Sequence, residues 1–243
     1  MGTGSERRTE ILELLVDRKD GTVRTKRLCK VCAEVTAMSG AGIMLMSADI
    51  PHGSLCTTNR MSDLIEQLQY TLGEGPCVDA FRQNWPVLEP DLYNPGTPRW
   101  PAFSPSAIQG GARAVFGFPL QIGTVRLGAL NLCRDRAGCL SDDQHADALI
   151  LANIVAATVL VTQANAPPGK LADELEEAAD FHYTVHQAAG MVAAQLDISV
   201  GQALIRLRAY AFGSSSSLTE VANNVVTRKL RLDAASSEKD SAQ

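Results

Sequence analysis

Three groups of residues have the types and spacing that chemistry requires. Cys29 and Cys32 form a Cys-x-x-Cys pair, and Cys133 and Cys139 flank a turn. A structural zinc site takes four ligands at defined spacing, and no second close pair accompanies Cys29 and Cys32, so Cys32 reads as a core residue. His182 and His186 stand one helical turn apart, a spacing that can hold a metal, but without a neighbouring carboxylate motif they read as surface residues. Arg206 and Tyr210 share a helix face at i, i+4, with Arg208 between them. An arginine beside an aromatic ring can hold a phosphate and stack on an unpaired base. The chain has no glycine-rich phosphate loop, nucleophile elbow or Ser-His-Asp set, so no catalytic residue, metal ligand or cofactor is assigned.

Charge narrows the choice of partners. The 243 residues carry a net charge of -5, with 45% apolar residues and 20% charged ones, a mix that excludes a disordered chain. The charge is uneven. Residues 185–232 hold five Lys and Arg against two Asp and Glu, whereas residues 163–184 hold one against five. Exposed charges are screened beyond ~8–10 Å, so it is the local basic block that a polyanion meets. No apolar run of the signal-peptide kind follows Met1 to Arg8, and Ala148 to Val161 falls short of the ~20 residues of a membrane span. Six cysteines are too sparse for a disulfide scaffold in a chain of this length. The expectation is a cytoplasmic protein with reduced thiols and no membrane partner.

The elements that position these residues follow from periodicity. Residues 10–16 and 22–39 read as helices, the second on Leu28, Val31, Cys32 and Val35. A strand over 40–47 precedes a helix capped by Ser62 and running to Leu72; a helical turn follows over 77–82 after Pro76. Residues 85–105 read as loop, 114–120 and 125–133 as paired strands, and Ser141 caps a long helix to Val161. The order predicts an α+β domain, an antiparallel sheet covered by helices. Asn165 to Gly169 marks a boundary, after which helices over 171–196, 200–212 (capped by Ser199) and 218–232 make an all-α bundle. The expected division is a first domain over 1–162, a linker and the start of a connecting helix over 163–184, a three-helix bundle over 185–232 and a disordered tail over 233–243.

The run from Val185 to Phe212, with LTEVANNVV behind it, resembles the ANTAR family of RNA-binding transcription antiterminators. The matching residues are Gln187, Ala188, Gly190 and Met191; Ala203, Leu207, Arg208, Tyr210 and Ala211; and Val221, Ala222 and Val225. Members commonly carry Lys where this chain has Ala189, and often a basic residue where it has Ser216. The resemblance implies binding to paired stem-loops in nascent leader mRNA, which competes with a terminator hairpin and touches the elongation complex only indirectly. It implies RNA contacts at Gln187, Ala188, Ala189, Gly190, Arg206, Arg208 and Tyr210.

The first ~160 residues resemble a GAF domain through LGEGPCVDAF (Leu72 to Phe81), Arg99 to Phe103, Phe116 to Gly123 and Arg126 to Leu132. That likeness implies a sensor fold with a pocket for an unidentified small molecule, bordered by Gly75, Cys77, Trp100, Phe103 and Phe118, with Cys77 near its mouth. Binding two stems favours a homodimer. The helix over 148–161 is apolar around more of its circumference than one sheet covers, which places a dimer seam there and on the helix over 171–185. The alternative is an enzyme, because some GAF-fold proteins reduce free methionine sulfoxide with cysteines, and all six cysteines precede residue 140. No cysteine has surroundings that lower its pKa, so the preferred reading is an RNA-binding antitermination regulator and not an enzyme.

Overall fold

Apolar residues run almost without interruption along 40–46, 114–120 and 127–133, and strands of this kind need cover on both faces. The computed structural model describes residues 4–15, 25–47, 50–164, 180–181, 183–214 and 216–232. In chain order these form α1 (Gly4–Leu15), α2 (Thr25–Val35), β1 (Gly40–Ser47), β2 (Ile50–Thr57), α3 (Arg60–Leu72), α4 (Pro76–Gln83) and β3 (Val87–Glu89). They continue with α5 (Phe103–Gln109), β4 (Ala114–Ile122), β5 (Val125–Arg134), α6 (Asp142–Ala164) and β6 (Asp180–Phe181). The last three helices are α7 (Tyr183–Leu196), α8 (Val200–Gly213) and α9 (Leu218–Val226). The chain divides into two units, residues 1–181 and 182–243.

The first unit is an α+β domain. Its six strands lie in the order β3-β4-β5-β1-β2-β6, and every neighbouring pair is antiparallel. One face is wholly apolar: Ala41, Ile43 and Leu45 of β1, Phe116, Phe118 and Leu120 of β4, and Leu130 and Leu132 of β5 form one core with α1, α2 and α6. The other face carries α3, α4 and α5, with Ile65, Trp100, Phe103, Val115 and Cys133 in a second core. At the β3 edge, Arg99 donates to the Leu88 carbonyl at 3.3 Å and pairs with Glu89 at 3.4 Å.

Several local expectations change. The N-cap of α3 is Asn59 and not Ser62: the Asn59 side chain accepts from the Ser62 amide at 3.0 Å, and the Ser62 hydroxyl accepts from the Asn59 amide at 3.1 Å. Two strands and a helix are hidden from periodicity. β2 contains Pro51 and Gly53 and pairs with β1 through two register shifts, which break the alternation that marks a strand. β3 and α5 lie within the stretch 85–109, where Pro, Asn and Asp suggest only loop. Because β2 runs beside α2, Cys29 and Cys56 come to a Cα separation of 6.0 Å and are joined as a disulfide, contrary to the expectation of reduced thiols throughout. Cys32, Cys77 and Cys133 are buried free thiols, and Cys139 is exposed. The helix over 148–161 extends to 23 residues as α6, long and apolar enough to cross a membrane by length and composition, with much of that apolar surface packed on the sheet. The single helix expected over 171–196 is not continuous: Asp180–Phe181 are strand β6, paired with Gly53 and Ser54 of β2, and the helix α7 begins at Tyr183, while residues 171–179 and 182 and the tail over 233–243 lie outside the described residues.

The second unit is a three-helix arrangement. Val185, Ala188, Ala189 and Val192 of α7 are buried, as are Ala203, Leu204, Leu207 and Ala211 of α8 and Val221, Ala222 and Val225 of α9. Ser199 caps α8 in a capping box with Gln202, and Ser217 caps α9, which stops at Val226 rather than at Leu232. Gln195 donates to the Leu232 carbonyl and ties the following chain back to α7.

The α4 end of the first unit rests on Gly117, where an added methyl would fall on the Pro76 carbonyl. Backbone cannot give way as a side chain can. Gly117→Ala is expected to cost about 1–3 kcal/mol or more in urea unfolding. Gly42→Ala, whose methyl meets only the Glu66 side chain, is expected to cost less.

Candidate functional site

The face beneath α3 and α4 has a polar floor. Gly42 of β1 pairs with Asn131 of β5, and Asn131 pairs with Gly117 of β4, so glycine, asparagine and glycine lie in one row across the three central strands. Without side chains at 42 and 117, α3 and α4 approach closely: a Cβ at Gly42 would meet the Glu66 carboxyl at 2.7 Å. Glu66 is 2% exposed, and neither of its carboxyl oxygens meets hydrogen-bond geometry with a described group. Burial drives its pKa up to about 8; the facing Asn131 amide opposes the rise and the Asp63 charge adds to it. At neutral pH the Glu66 carboxyl is therefore mostly protonated. Asn131 is fully buried, and its amide atoms also lack a well-formed hydrogen bond among the described residues.

Two buried thiols complete the cluster. The Cys77 amide donates to Gln69 Oε1 at 2.6 Å, which fixes the first turn of α4 onto α3. Burial, with the Glu66 charge second, holds the Cys77 thiol well above its ordinary value, and the same two causes push Cys133 up to about 12. Both are thiols and not thiolates.

The roof is stitched by two carboxylates from the GEGPC turn and α4. Glu74 accepts from the Ala102 and Phe103 amides at 2.8 Å each, satisfying the bare N-terminus of α5. Asp79 accepts from the Trp100 indole at 2.8 Å. Trp100 adopts a left-handed backbone (φ 57°), meets Phe103 edge-on at 5.7 Å between ring centroids, and lies beneath the Arg99 guanidinium at 4.8 Å.

The structure brings together four of the five residues expected to border a pocket. Gly75, Cys77, Trp100 and Phe103 belong to this roof and its floor. Phe118 does not: strand alternation turns it to the opposite face, where it packs edge-on against His145 of α6 at 5.5 Å. Cys77 is fully buried and so does not stand at a mouth. Sequence reasoning misses Glu66, Gln69 and Asn131. A signal for Asn131 is present, as a lone polar residue inside the apolar strand GALNLC.

In the second unit, Gln187 and Gly190 of α7 and Arg206 of α8 are exposed, Tyr210 is 42% exposed and Arg208 is half-buried. No heavy atom lies within 4 Å of a methyl built on Gly190, so the backbone there is open to approach. Ala188 and Ala189, expected among the RNA contacts, are instead inside the bundle at 0% and 1% exposure. Their positions on α7 point to the seam with α8 and α9, which is why small residues stand there. His186 is half-buried on α7, and His182 lies outside the described residues.

No protein-family model matches the chain, and no curated protein matches it in sequence. Among solved structures it is similar to the GAF domain of a phosphoenolpyruvate-protein phosphotransferase from Coxiella burnetii (14% identity, 67% of this chain and 98% of that one, TM-score 0.48). It is similar to the corresponding GAF domain from Acinetobacter (12% identity, 69% and 99%, TM-score 0.48). A third is the type II free methionine-R-sulfoxide reductase from Thermoplasma acidophilum (18% identity, 55% and 87%, TM-score 0.44).

Burial at Glu66 and at Ala189 has measurable consequences. Glu66 keeps its proton in the folded chain up to about pH 8, whereas a carboxyl in the unfolded chain loses it near pH ~4.3. The folded state therefore binds the extra proton between these values, and stability falls as pH rises across that window. Glu66→Gln is expected to flatten this part of the curve and to be more stable than the native chain at pH 8, by a margin that shrinks towards pH 5, in denaturant titrations at fixed salt. Ala189→Lys places an ammonium in a sealed core and is expected to destabilise the second unit by about 3 kcal/mol or more, read from loss of helical circular dichroism on heating.

Proposed function

We propose that this protein is a regulator that couples a GAF-type sensor unit to an RNA-binding helical unit of the ANTAR type. The observation that carries the RNA reading is the exposed pair Arg206 and Tyr210 on one face of α8, in the segment with net positive charge. Exposed Gln187 and the bare backbone at Gly190 on α7 add a hydrogen-bonding group and room for close approach. Guanidinium groups neutralise phosphates, and an exposed tyrosine ring can stack on a base splayed from a loop. The preferred target is a stem-loop in a nascent leader transcript, held so that a competing terminator cannot form. Ala188 and Ala189 drop out of the contact set, leaving Gln187, Gly190, Arg206, Arg208 and Tyr210.

A thiol-based sulfoxide reductase is a poorer fit to the site. Cys77 and Cys133 are buried with raised pKa values, and a reductase needs an accessible thiolate. The sensor reading asks less of these thiols, since they only line the polar floor.

The test is a titration of the full chain with a paired stem-loop RNA and with a random duplex DNA, at two salt concentrations. Stem-loop RNA is expected to bind more tightly. Arg206→Ala is expected to weaken it and to lower the salt slope by about one unit for each phosphate no longer neutralised, while Tyr210→Ala weakens it with little change of slope. Equal affinity for the two nucleic acids overturns the reading.

A further inference from the structure

Most of the positive charge in residues 185–232 lies away from α8. Of the five Lys and Arg there, Arg206 and Arg208 belong to α8, and Arg228, Lys229 and Arg231 follow the end of α9. These last three are exposed. The two carboxylates of the same stretch, Asp197 and Glu220, make no ion pair with them among the described residues. The segment is held at both ends. The Lys229 and Leu230 amides both donate to the Asn224 carbonyl, at 2.8 and 2.9 Å, which folds the chain back over the last turn of α9. At the other end Leu232 is buried and its carbonyl accepts from Gln195 of α7. A fixed backbone spares the ordering that a loose basic tail must undergo on binding. Arg228 adopts the left-handed region (φ 59°), where glycine is the least strained residue past a helix end. The dipole of α9 favours a cation there, yet Lys229 beside it serves that end as well, so the dipole alone does not account for an arginine in strained backbone.

We infer that Arg228, Lys229 and Arg231 form a second phosphate site, which takes the sugar–phosphate backbone of an RNA stem whose loop is held at Arg206 and Tyr210. The inference rests on the RNA reading of this unit. Guanidinium and ammonium groups donate hydrogen bonds and accept none, so the segment selects an anion. Three cations within four residues suit the successive phosphates of one strand better than a single carboxylate. The two contact points lie apart. Gln195 stands beside the connection from α7 to α8, whereas Tyr210 is about 16 Å of helix beyond Ser199, where α8 begins. One folded stem-loop can span that distance, and a single nucleotide cannot. Gln187, Gly190 and Ala194 stand exposed at i, i+3 and i+7 on α7, in a row without charge that ends next to Gln195. A strand laid along this row reaches the basic segment.

The test titrates the full chain with the paired stem-loop RNA at two salt concentrations, using Arg228→Gly, Lys229→Gln and Arg231→Gln singly and together. Each single variant is expected to lower the salt slope by about one unit, and the triple variant to lower it by about two to three and to weaken binding at least about tenfold. Lys229→Arg is expected to keep the slope. Arg228→Gly relieves the left-handed backbone, so it is expected to melt no lower than the native chain while binding RNA more weakly. Lower melting with unchanged binding assigns Arg228 to the end of α9 and overturns its place in the site. Cutting each stem to about six base pairs, with the loops kept, is expected to weaken the native chain and to leave the triple variant as it was. An equal loss in both defeats the assignment to the stem. A triple variant with native affinity and slope overturns the second site, while a native preference for stem-loop RNA over duplex DNA keeps the RNA reading intact. Without that preference both fall.

Discussion

The absence of side chains at Gly42 and Gly117, either side of Asn131, sets how near α3 and α4 lie to the sheet. Close approach is what buries Glu66 and seats the first turn of α4 on Gln69. Once α4 is fixed, its Asp79 and the preceding Glu74 can reach Trp100 and the start of α5. The roof of the first unit is thus built outward from two missing methyl groups. The opposite face needs no such device, because aliphatic and aromatic side chains simply interlock there with α2 and α6.

The two faces serve different ends. A wholly apolar layer gives the unit its stability through area removed from water. The polar layer stores unsatisfied hydrogen-bonding capacity in Glu66 and Asn131, which an apolar core of the same size would not carry. Such capacity costs stability in the resting chain. In the helical unit Gln187 of α7 and Arg206 of α8 are exposed.

Sequence alone reveals those parts in which local rules and the tertiary fold agree. Ser199 and Ser141 cap the helices expected of them, and the β4–β5 hairpin around Gly123 follows from two strand-like runs joined by a short glycine turn. β2 is hidden because Pro51 and Gly53 oppose a strand locally, and only its pairing with β1 overrides them. Phe118 falls on the face away from the other four residues expected to border a pocket because its motif gives proximity in sequence, while a strand sends neighbouring side chains to opposite sides. Ala188 and Ala189 mislead because small residues suit both a bare helix face and a tight helix seam, and composition does not separate the two. The Cys29–Cys56 link depends on where β2 lies, so it becomes visible only with the fold.

The guanidinium of Arg99 at the Leu88 carbonyl bears on how the protein behaves in a crowded solution. A border strand normally offers a ladder of open amide and carbonyl groups on which a foreign chain can zip up. Here that border is three residues long, and one of its outward acceptors is already taken by a side chain held in place over the Trp100 ring. An arriving polypeptide finds no continuous template on this flank. The sheet stops growing at β3, and a fold with six antiparallel strands is shielded on that side from runaway fibre assembly.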